Sequence, residues 1–339
     1  MRYVIVGAGG IGGAIGGRLA DAGHDVVLVA RSANAGALRE RGLRLAIPER
    51  VIIVRPPVVE SVADLRLRRD DVLVLCVKSQ DSAGLLAALA VLRVGNSTAG
   101  DVLPLVCAQN GTSNEREALR LFRHVHGISL MLSATHLEPG RVSAPGWPVS
   151  GVLELGRYPS GSDEVDASIA ADFNASGFVV NVRNDVMAWK RAKLLRNLRN
   201  ALEAMCGPDL NEDDRATIES IRAEASAEAR ACFTAGGLTL VSSDEWNERR
   251  SGQLMQLRPV EGSGRAGGST WQSVTRGLSA VETDYLNGEI VLLGRLYGVA
   301  TPVNERIQLA MWDFVRDRRP AGSMSCTSFA RVLSPSSAR

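Results

Sequence analysis

The chain has 339 residues, 45% of them hydrophobic and 22% charged, and a formal net charge of +2. That length exceeds one ordinary core and fits two domains. A charge so near zero is too small to imply a nucleic-acid footprint or a basic membrane patch, and points to a small-molecule partner. Five scattered cysteines, Cys76, Cys107, Cys206, Cys232 and Cys326, contain no CxxC pair. They argue against a disulfide framework and a zinc site and suit a reducing cytoplasm. No signal peptide is read at the start, and no apolar run nears the roughly 18 residues of a membrane span. The expectation is a cytoplasmic chain.

In chain order, residues 3–6 read as a buried strand, 11–22 as a helix, 25–29 as a second strand and 71–77 as a third. Residues 101–107 read as a fourth strand whose ladder Pro104 interrupts. Residues 152–155 and 178–182 read as later strands of the same domain. Short apolar runs alternating with helical patterns are the mark of a parallel sheet built from βαβ units. After about residue 184 the pattern changes. Residues 186–204 and 213–235 are long helical stretches, 259–268 is a glycine-rich loop, and another long helix is expected over 270–297. The tail from residue 319 is rich in Ser, Arg, Ala and Pro and reads as disordered. The fold class is thus α/β. An N-terminal Rossmann-type parallel-sheet domain is expected over residues 1–184, an all-helical domain over 185–318, and a disordered tail over 319–339.

The strongest local signal is Gly7-Ala8-Gly9-Gly10-Ile11-Gly12, directly after a strand and opening a helix. Glycines there allow a tight turn, close backbone approach to a pyrophosphate, and close packing of helix on sheet. Gly7, Gly9, Gly10, Ile11 and Gly12 are therefore dinucleotide-binding candidates, with the phosphates at the helix N-terminus. An NAD site wants an acidic residue at the end of the second strand. This chain has Ala30-Arg31-Ser32, with no carboxylate until Glu40. Arg31 can fork onto a ribose 2′-phosphate and Ser32 can donate to it, so the sequence prefers NADPH.

Several further segments match one family. They are Val77-Lys78-Ser79-Gln80-Asp81, Gln109-Asn110-Gly111, Lys193-Leu194-Leu195-Arg196-Asn197, Val281 through Gly288 (VETDYLNG), and Thr301-Pro302-Val303-Asn304. With the glycine loop they make a sequence that resembles the ketopantoate reductases (2-dehydropantoate 2-reductases), over residues 1 to about 306. The resemblance implies an NADPH-dependent reduction of a 2-oxo acid to a 2-hydroxy acid, ketopantoate to pantoate by default, in pantothenate biosynthesis. It also implies a lysine that protonates the carbonyl oxygen, and Lys193 stands at that position. At about 100° per residue, Lys190, Lys193, Asn197 and Asn200 share an arc of roughly 80° on one helix. Lys190 competes for the role, but the Lys-x-x-x-Asn spacing selects Lys193.

By the same resemblance Asn197 bonds the substrate and Glu282 is a carboxylate that partners the substrate and orients the lysine. On a helix Glu282 and Asp284 point about 200° apart, so only one can face a site. The family often carries a second asparagine four residues after the first. This chain has Ala201 there and Asn200 beside it, which puts the exact substrate in question. Ser269, in Ser269-Thr270-Trp271-Gln272, reads as the N-cap of a capping box; the resemblance adds contact with a substrate carboxylate. Lys78 and Asn110 follow strand ends, where open α/β sheets place ligands; Lys78 is assigned to the nicotinamide ribose or the substrate carboxylate, and Asn110 to the nicotinamide side. Trp246, Arg250 and Trp271 are candidate pocket residues. His124 and His126 lack a further ligand nearby in sequence, so no metal is expected. A homodimer is implied by the family alone. The rival readings are a relative reducing another 2-oxo acid, a larger ketone or an imine, and an NADP(H)-binding sensor without turnover.

Overall fold

The structure, a computed structural model, describes residues 1–207, 210–250, 254–260, 267–277, 281–326 and 329, with the Arg250 side chain excluded. Contacts divide the chain into two compact units, Met1–Lys190 with Val241–Gly264, and Arg191–Leu240 with Arg265–Arg339.

The first unit is built on an eight-stranded sheet. Its strands are β1 (Arg2–Val6), β2 (Asp25–Val29), β3 (Val58–Val59), β4 (Asp71–Leu75), β5 (Pro104–Cys107), β6 (His124–Leu132), β7 (Gly151–Arg157) and β8 (Val179–Val182). They lie in the order β8-β7-β6-β5-β4-β1-β2-β3. All described pairings are parallel except β6 with β7. The order reverses direction at β1, between β4 and β2, which is the crevice where doubly wound sheets bind dinucleotides. Both faces are covered. Tyr3 and Ile5 pack into one core, Val4 and Val6 into another on the opposite side. Burial on both faces explains why β1 and β4 read as continuous apolar runs rather than alternating ones.

Helices α1 (Gly10–Asp21) and α2 (Ser32–Arg41) follow β1 and β2. Later in the unit come α3 (Ser82–Ala90), α4 (Asn114–Leu119) and α5 (Glu164–Ala175). The expected strand over 101–107 is shorter than the sequence suggested. Ala99–Val102 is a helical turn and Pro104 begins β5, the strand position where a missing N–H costs least. The segment from Val241 rejoins this unit by pairing Gln256–Leu257 with Gly146–Trp147 and stacking Trp246 against Trp189. Such a return leaves no periodic trace in the sequence.

The second unit is helical. The expected helix over 186–204 is two: α6 (Val186–Asn197), which continues out of the first unit, and α7 (Asn200–Cys206). The side chain of Asn287 donates to the Leu198 carbonyl at 3.2 Å, satisfying a group the break exposes. Helix α8 (Glu212–Ala235) matches its expected span. The single helix expected over 270–297 is instead α9 (Ser269–Thr275), a 3₁₀ turn at Glu282–Tyr285, and α10 (Asn287–Tyr297). Helix α11 (Pro302–Arg316) opens with proline in its first turn. Glu228 accepts from the backbone N–H of Val303 and of Asn304 and from the Asn304 amide, placing a carboxylate on the positive end of α11. The start of the tail packs within the helical unit. Gly322 and Met324 donate to the carbonyls of Ala204 and Met205, and Cys326 and Phe329 are buried in the helical core. Residues 261–266 of the expected glycine-rich loop, and 330–339 of the tail, lie outside the described residues.

Candidate functional site

The glycine loop has the geometry its sequence demands. Gly7 sits at φ +103°, and a Cβ there would meet Val77 Cγ1 at 2.7 Å. A Cβ on Gly12 would lie 2.2 Å from the Gly7 carbonyl oxygen, so α1 approaches the turn as closely as only glycine permits. A Cβ on Gly9 would meet nothing within 4 Å. The first N–H groups of α1, from Gly10, Ile11 and Gly12, have no carbonyl within the helix to accept them. Open space beside Gly9 and a helix N-terminus with no capping side chain among the described residues fit a pyrophosphate. The pKa of the neighbouring Cys76 thiol is pushed up to about 12 by burial, so it packs against the loop as a protonated side chain.

Arg31 and Ser32 stand at the N-terminus of α2, with Ser32 at φ +54°. The Arg31 guanidinium lies 3.9 Å from Asp81, but both are well exposed and water screens the pair. The cation and helix end together suit an added phosphate. Asn34, which sequence reasoning missed, ties this helix to the glycine loop. Its Nδ2 donates to the Ala8 carbonyl at 2.9 Å, and its Oδ1 accepts from the Gly140 N–H at 2.8 Å.

Lys78 follows β4 and Asn110 follows β5, and the loops that carry them are joined by a buried polar network. Gln109 donates to the Ser82 hydroxyl at 2.6 Å, Ser82 to Asn114 at 3.0 Å, and Asn114 to the Ser79 hydroxyl at 3.0 Å. The Lys190 ammonium donates to the Gln109 carbonyl at 3.0 Å and pairs with Glu115, which is wholly buried. Lys190 is therefore committed inside the first unit. With Asn200 on a separate helix, the expected four-residue arc does not form.

In the second unit Lys193 is half-buried, one turn before Asn197 on α6. The Asn197 Nδ2 is buried with no partner among the described residues. Glu282 is buried, whereas Asp284 faces the other way and accepts from Gln308 and Trp312, each at 2.7 Å. That is the division the residue spacing required, produced by a 3₁₀ turn instead of an α-helix. Asn200 begins α7, and a Cβ on Gly268 would lie 3.9 Å from its Oδ1. The capping-box reading of Ser269 fails. Gly268 is the N-cap, no side chain caps the helix, and the Ser269 Oγ is buried without a partner among the described residues. Of the three candidate pocket residues, Trp246 is buried in the first unit, Trp271 is half-buried in the second, and the Arg250 side chain lies outside the described residues.

His126 gains acidic neighbours that the sequence did not suggest. Its Nδ1 lies 2.7 Å from Asp166, and Asp163 is close by. Both aspartates are occupied in the capping box of α5, and Asp163 also pairs with Arg157. This is the signature of a helix cap.

Comparison with known proteins agrees with the architecture. The family model for ketopantoate reductase PanE/ApbA matches residues 3–160, and its C-terminal counterpart matches residues 185–311. The chain belongs to the ketopantoate reductase family. It is thus an enzyme of a nicotinamide-dinucleotide-dependent oxidoreductase family acting on a C=O group of small keto acids. It is similar to a 2-dehydropantoate 2-reductase of Pyrococcus horikoshii, 25% identical over 96% of this chain and all of that one. A counterpart from Halobacterium salinarum is 28% identical over 89% of this chain and 95% of its own length. Among solved structures, a PanE/ApbA family ketopantoate reductase from Ralstonia eutropha is 25% identical, covers 94% of this chain and 100% of its own, and superposes with a TM-score of 0.74. A D-mandelate dehydrogenase solved with NADH and anilino(oxo)acetate shares the fold at 21% identity and a TM-score of 0.78, covering 94% of this chain and 99% of its own. Among the described residues no helix is long and apolar enough to cross a membrane.

Proposed function

We propose that this enzyme reduces a 2-oxo acid to the 2-hydroxy acid with NADPH, in the cytoplasm, with ketopantoate as the default substrate and Lys193 as the general acid. The observation that carries the reading is the buried Asn197 amide, unpartnered among the described residues and one turn from Lys193. Side chains four apart on a helix are neighbours, and an orphaned buried donor costs free energy unless a ligand accepts from it. Asn197 then holds the substrate while the Lys193 ammonium donates its proton to the carbonyl oxygen. Negative charge grows on that oxygen as the carbonyl carbon gains hydride, so a cation there lowers the barrier. The neutral amine left on Lys193 regains a proton from water. Glu282 orients the lysine, and Asn200 and Ser269 hold the substrate carboxylate and its neighbouring groups.

NADPH, when bound, supplies the hydride. Gly7, Gly9, Gly10, Ile11 and Gly12 hold its pyrophosphate, Arg31 and Ser32 its 2′-phosphate, and Lys78 and Asn110 the nicotinamide side. The enzyme pairs as a homodimer, a reading supported by Leu292, Leu296, Leu309 and Trp312, all largely exposed on α10 and α11.

One observation favours a second substrate. Ala201 is buried in the helical core where the family often places a second asparagine, so an amide that could bond a substrate hydroxyl is missing, which suits a 2-oxo acid without that hydroxyl, such as an aryl one. The test is NADPH oxidation, followed by absorbance, over a panel holding ketopantoate, aliphatic 2-oxo acids and an aryl 2-oxo acid. Turnover of ketopantoate far above the rest supports the default substrate, and preference for the aryl acid supports the second reading. Tight NADPH binding with no turnover of any member refutes the catalytic reading in favour of a sensor.

A further inference from the structure

We infer that Lys190 is a positioning residue for the nicotinamide half of the cofactor site, acting with Glu115 through the backbone on either side of Asn110. The inference rests on the reading that the first unit binds NADPH.

The strand order gives the direction. The 2′-phosphate candidates lie at the end of β2, on one side of the crevice at β1. The other half of a dinucleotide then extends over the ends of β4 and β5, where the loops bearing Lys78 and Asn110 begin. Lys190 donates to the Gln109 carbonyl at 3.0 Å, and the Asn114 amide reaches the Asn110 carbonyl at 3.4 Å. Peptide groups are planar, so holding these two carbonyls holds both planes that flank the Asn110 Cα. The direction of the Asn110 Cα–Cβ bond is thereby fixed through the backbone alone. The Ser82 bridge extends the same restraint to the loop that carries Lys78. Lys190, Glu115, Gln109, Asn114, Ser79 and Ser82 are all more than nine-tenths buried, so their hydrogen bonds are shielded from bulk solvent.

A buried ion pair is a poor way to add stability, because desolvating two charges offsets their attraction. Here the ammonium has a directional use that an apolar pair of the same volume lacks. One donor neutralises Glu115 while another points at a loop carbonyl.

Each single change leaves one buried charge uncompensated, Lys190→Met the carboxylate and Glu115→Gln the ammonium, so Glu115→Gln is compared with the double variant Glu115→Gln/Lys190→Met and the charge cost is read from the melts. The first keeps the donor to Gln109; the second removes it and stays neutral. Each is measured by thermal melting, by NADPH titration through nicotinamide fluorescence, and by titration with adenosine 2′,5′-bisphosphate, which lacks the nicotinamide. The expected result is a double variant that binds the bisphosphate as wild type does but binds NADPH about tenfold more weakly, while Glu115→Gln keeps most of its NADPH affinity. Ser82→Ala, which leaves both charges in place, should show the same selective loss, and it decides the matter if the double variant does not fold. Equal losses for both ligands, or no loss for either, overturn the inference. A wild-type protein that binds neither ligand instead refutes the cofactor reading, and this inference with it.

Discussion

Two alanine substitutions in the same loop should fail in opposite ways. In Gly12→Ala the new methyl would start 2.2 Å from the Gly7 carbonyl oxygen, 2.9 Å from Ile5 Cγ2 and 3.0 Å from Cys76 Cβ. The first contact is short of ordinary van der Waals distance by about 1 Å, and its neighbours belong to the sheet core and the loop backbone. Overpacking of that kind costs about 1–3 kcal/mol. For a unit of this size each kcal/mol moves the melting point by about 2–4 °C, so a cost near 2 kcal/mol lowers it by about 4–8 °C. In Gly9→Ala the methyl meets nothing within 4 Å, and the Gly9 φ of −87° lies outside the left-handed region that favours glycine. The melting point should move by no more than about 2 °C, the loss expected from alanine at an N-cap. The methyl occupies the space proposed for the pyrophosphate, however, and NADPH should bind at least about tenfold more weakly, or 1.4 kcal/mol. Differential scanning fluorimetry and NADPH fluorescence titration read the two effects separately. Wild-type NADPH affinity in Gly9→Ala would refute the pyrophosphate assignment, and a wild-type melting point in Gly12→Ala would refute the packing argument.

Three further outcomes are expected. Lys193→Ala should lower kcat by about 10²- to 10⁴-fold, the usual worth of a general acid, with the Kd for NADPH within about twofold; unchanged turnover removes Lys193 from the mechanism. Arg31→Ala should weaken NADPH by about tenfold and leave NADH nearly unchanged, a modest loss because Arg31 is exposed and screened; equal losses for the two cofactors show that Arg31 does not read the 2′-phosphate. Burial holds the Glu203 carboxyl above the usual carboxylate range, so the folded state binds this proton more tightly than the unfolded state does. Stability therefore falls as pH rises from the unfolded value through the raised one. Glu203→Gln should melt higher than wild type at pH 8, with the gap closing as the pH drops below about 4. A gap independent of pH in thermal melts from pH 4 to 8 contradicts it.

The parts of the candidate site whose local geometry could be read from the sequence are those written in neighbouring residues. The glycine loop, Arg31-Ser32 and the Lys193–Asn197 spacing each need one strand or one helical turn to place them. The opposed directions of Glu282 and Asp284 also survived, although the turn that carries them is 3₁₀, because side chains two apart diverge in either helix. Ser269 shows the limit of such reading. Its string fits a capping box, yet the chain enters α9 one residue earlier, at Gly268, and the hydroxyl is left buried beneath the turn.

The sequence by itself determined an α/β unit followed by a helical one, the glycine turn between β1 and α1, and the family. Those features rest on local periodicity and on contiguous motifs, and neither depends on what the distant chain does. Tertiary structure decided the fate of Lys190, which a helical wheel could place only as a rival to Lys193. Its partner Glu115 is 75 residues away, and no periodicity connects the two. Tertiary structure likewise split the helix after Asn197, returned the segment from Val241 to the first unit, and brought the helix-capping Asp163 and Asp166 to His126. In each case the deciding interaction joins groups that share no local pattern, and burial makes an unmatched polar group costly enough to overrule local propensity.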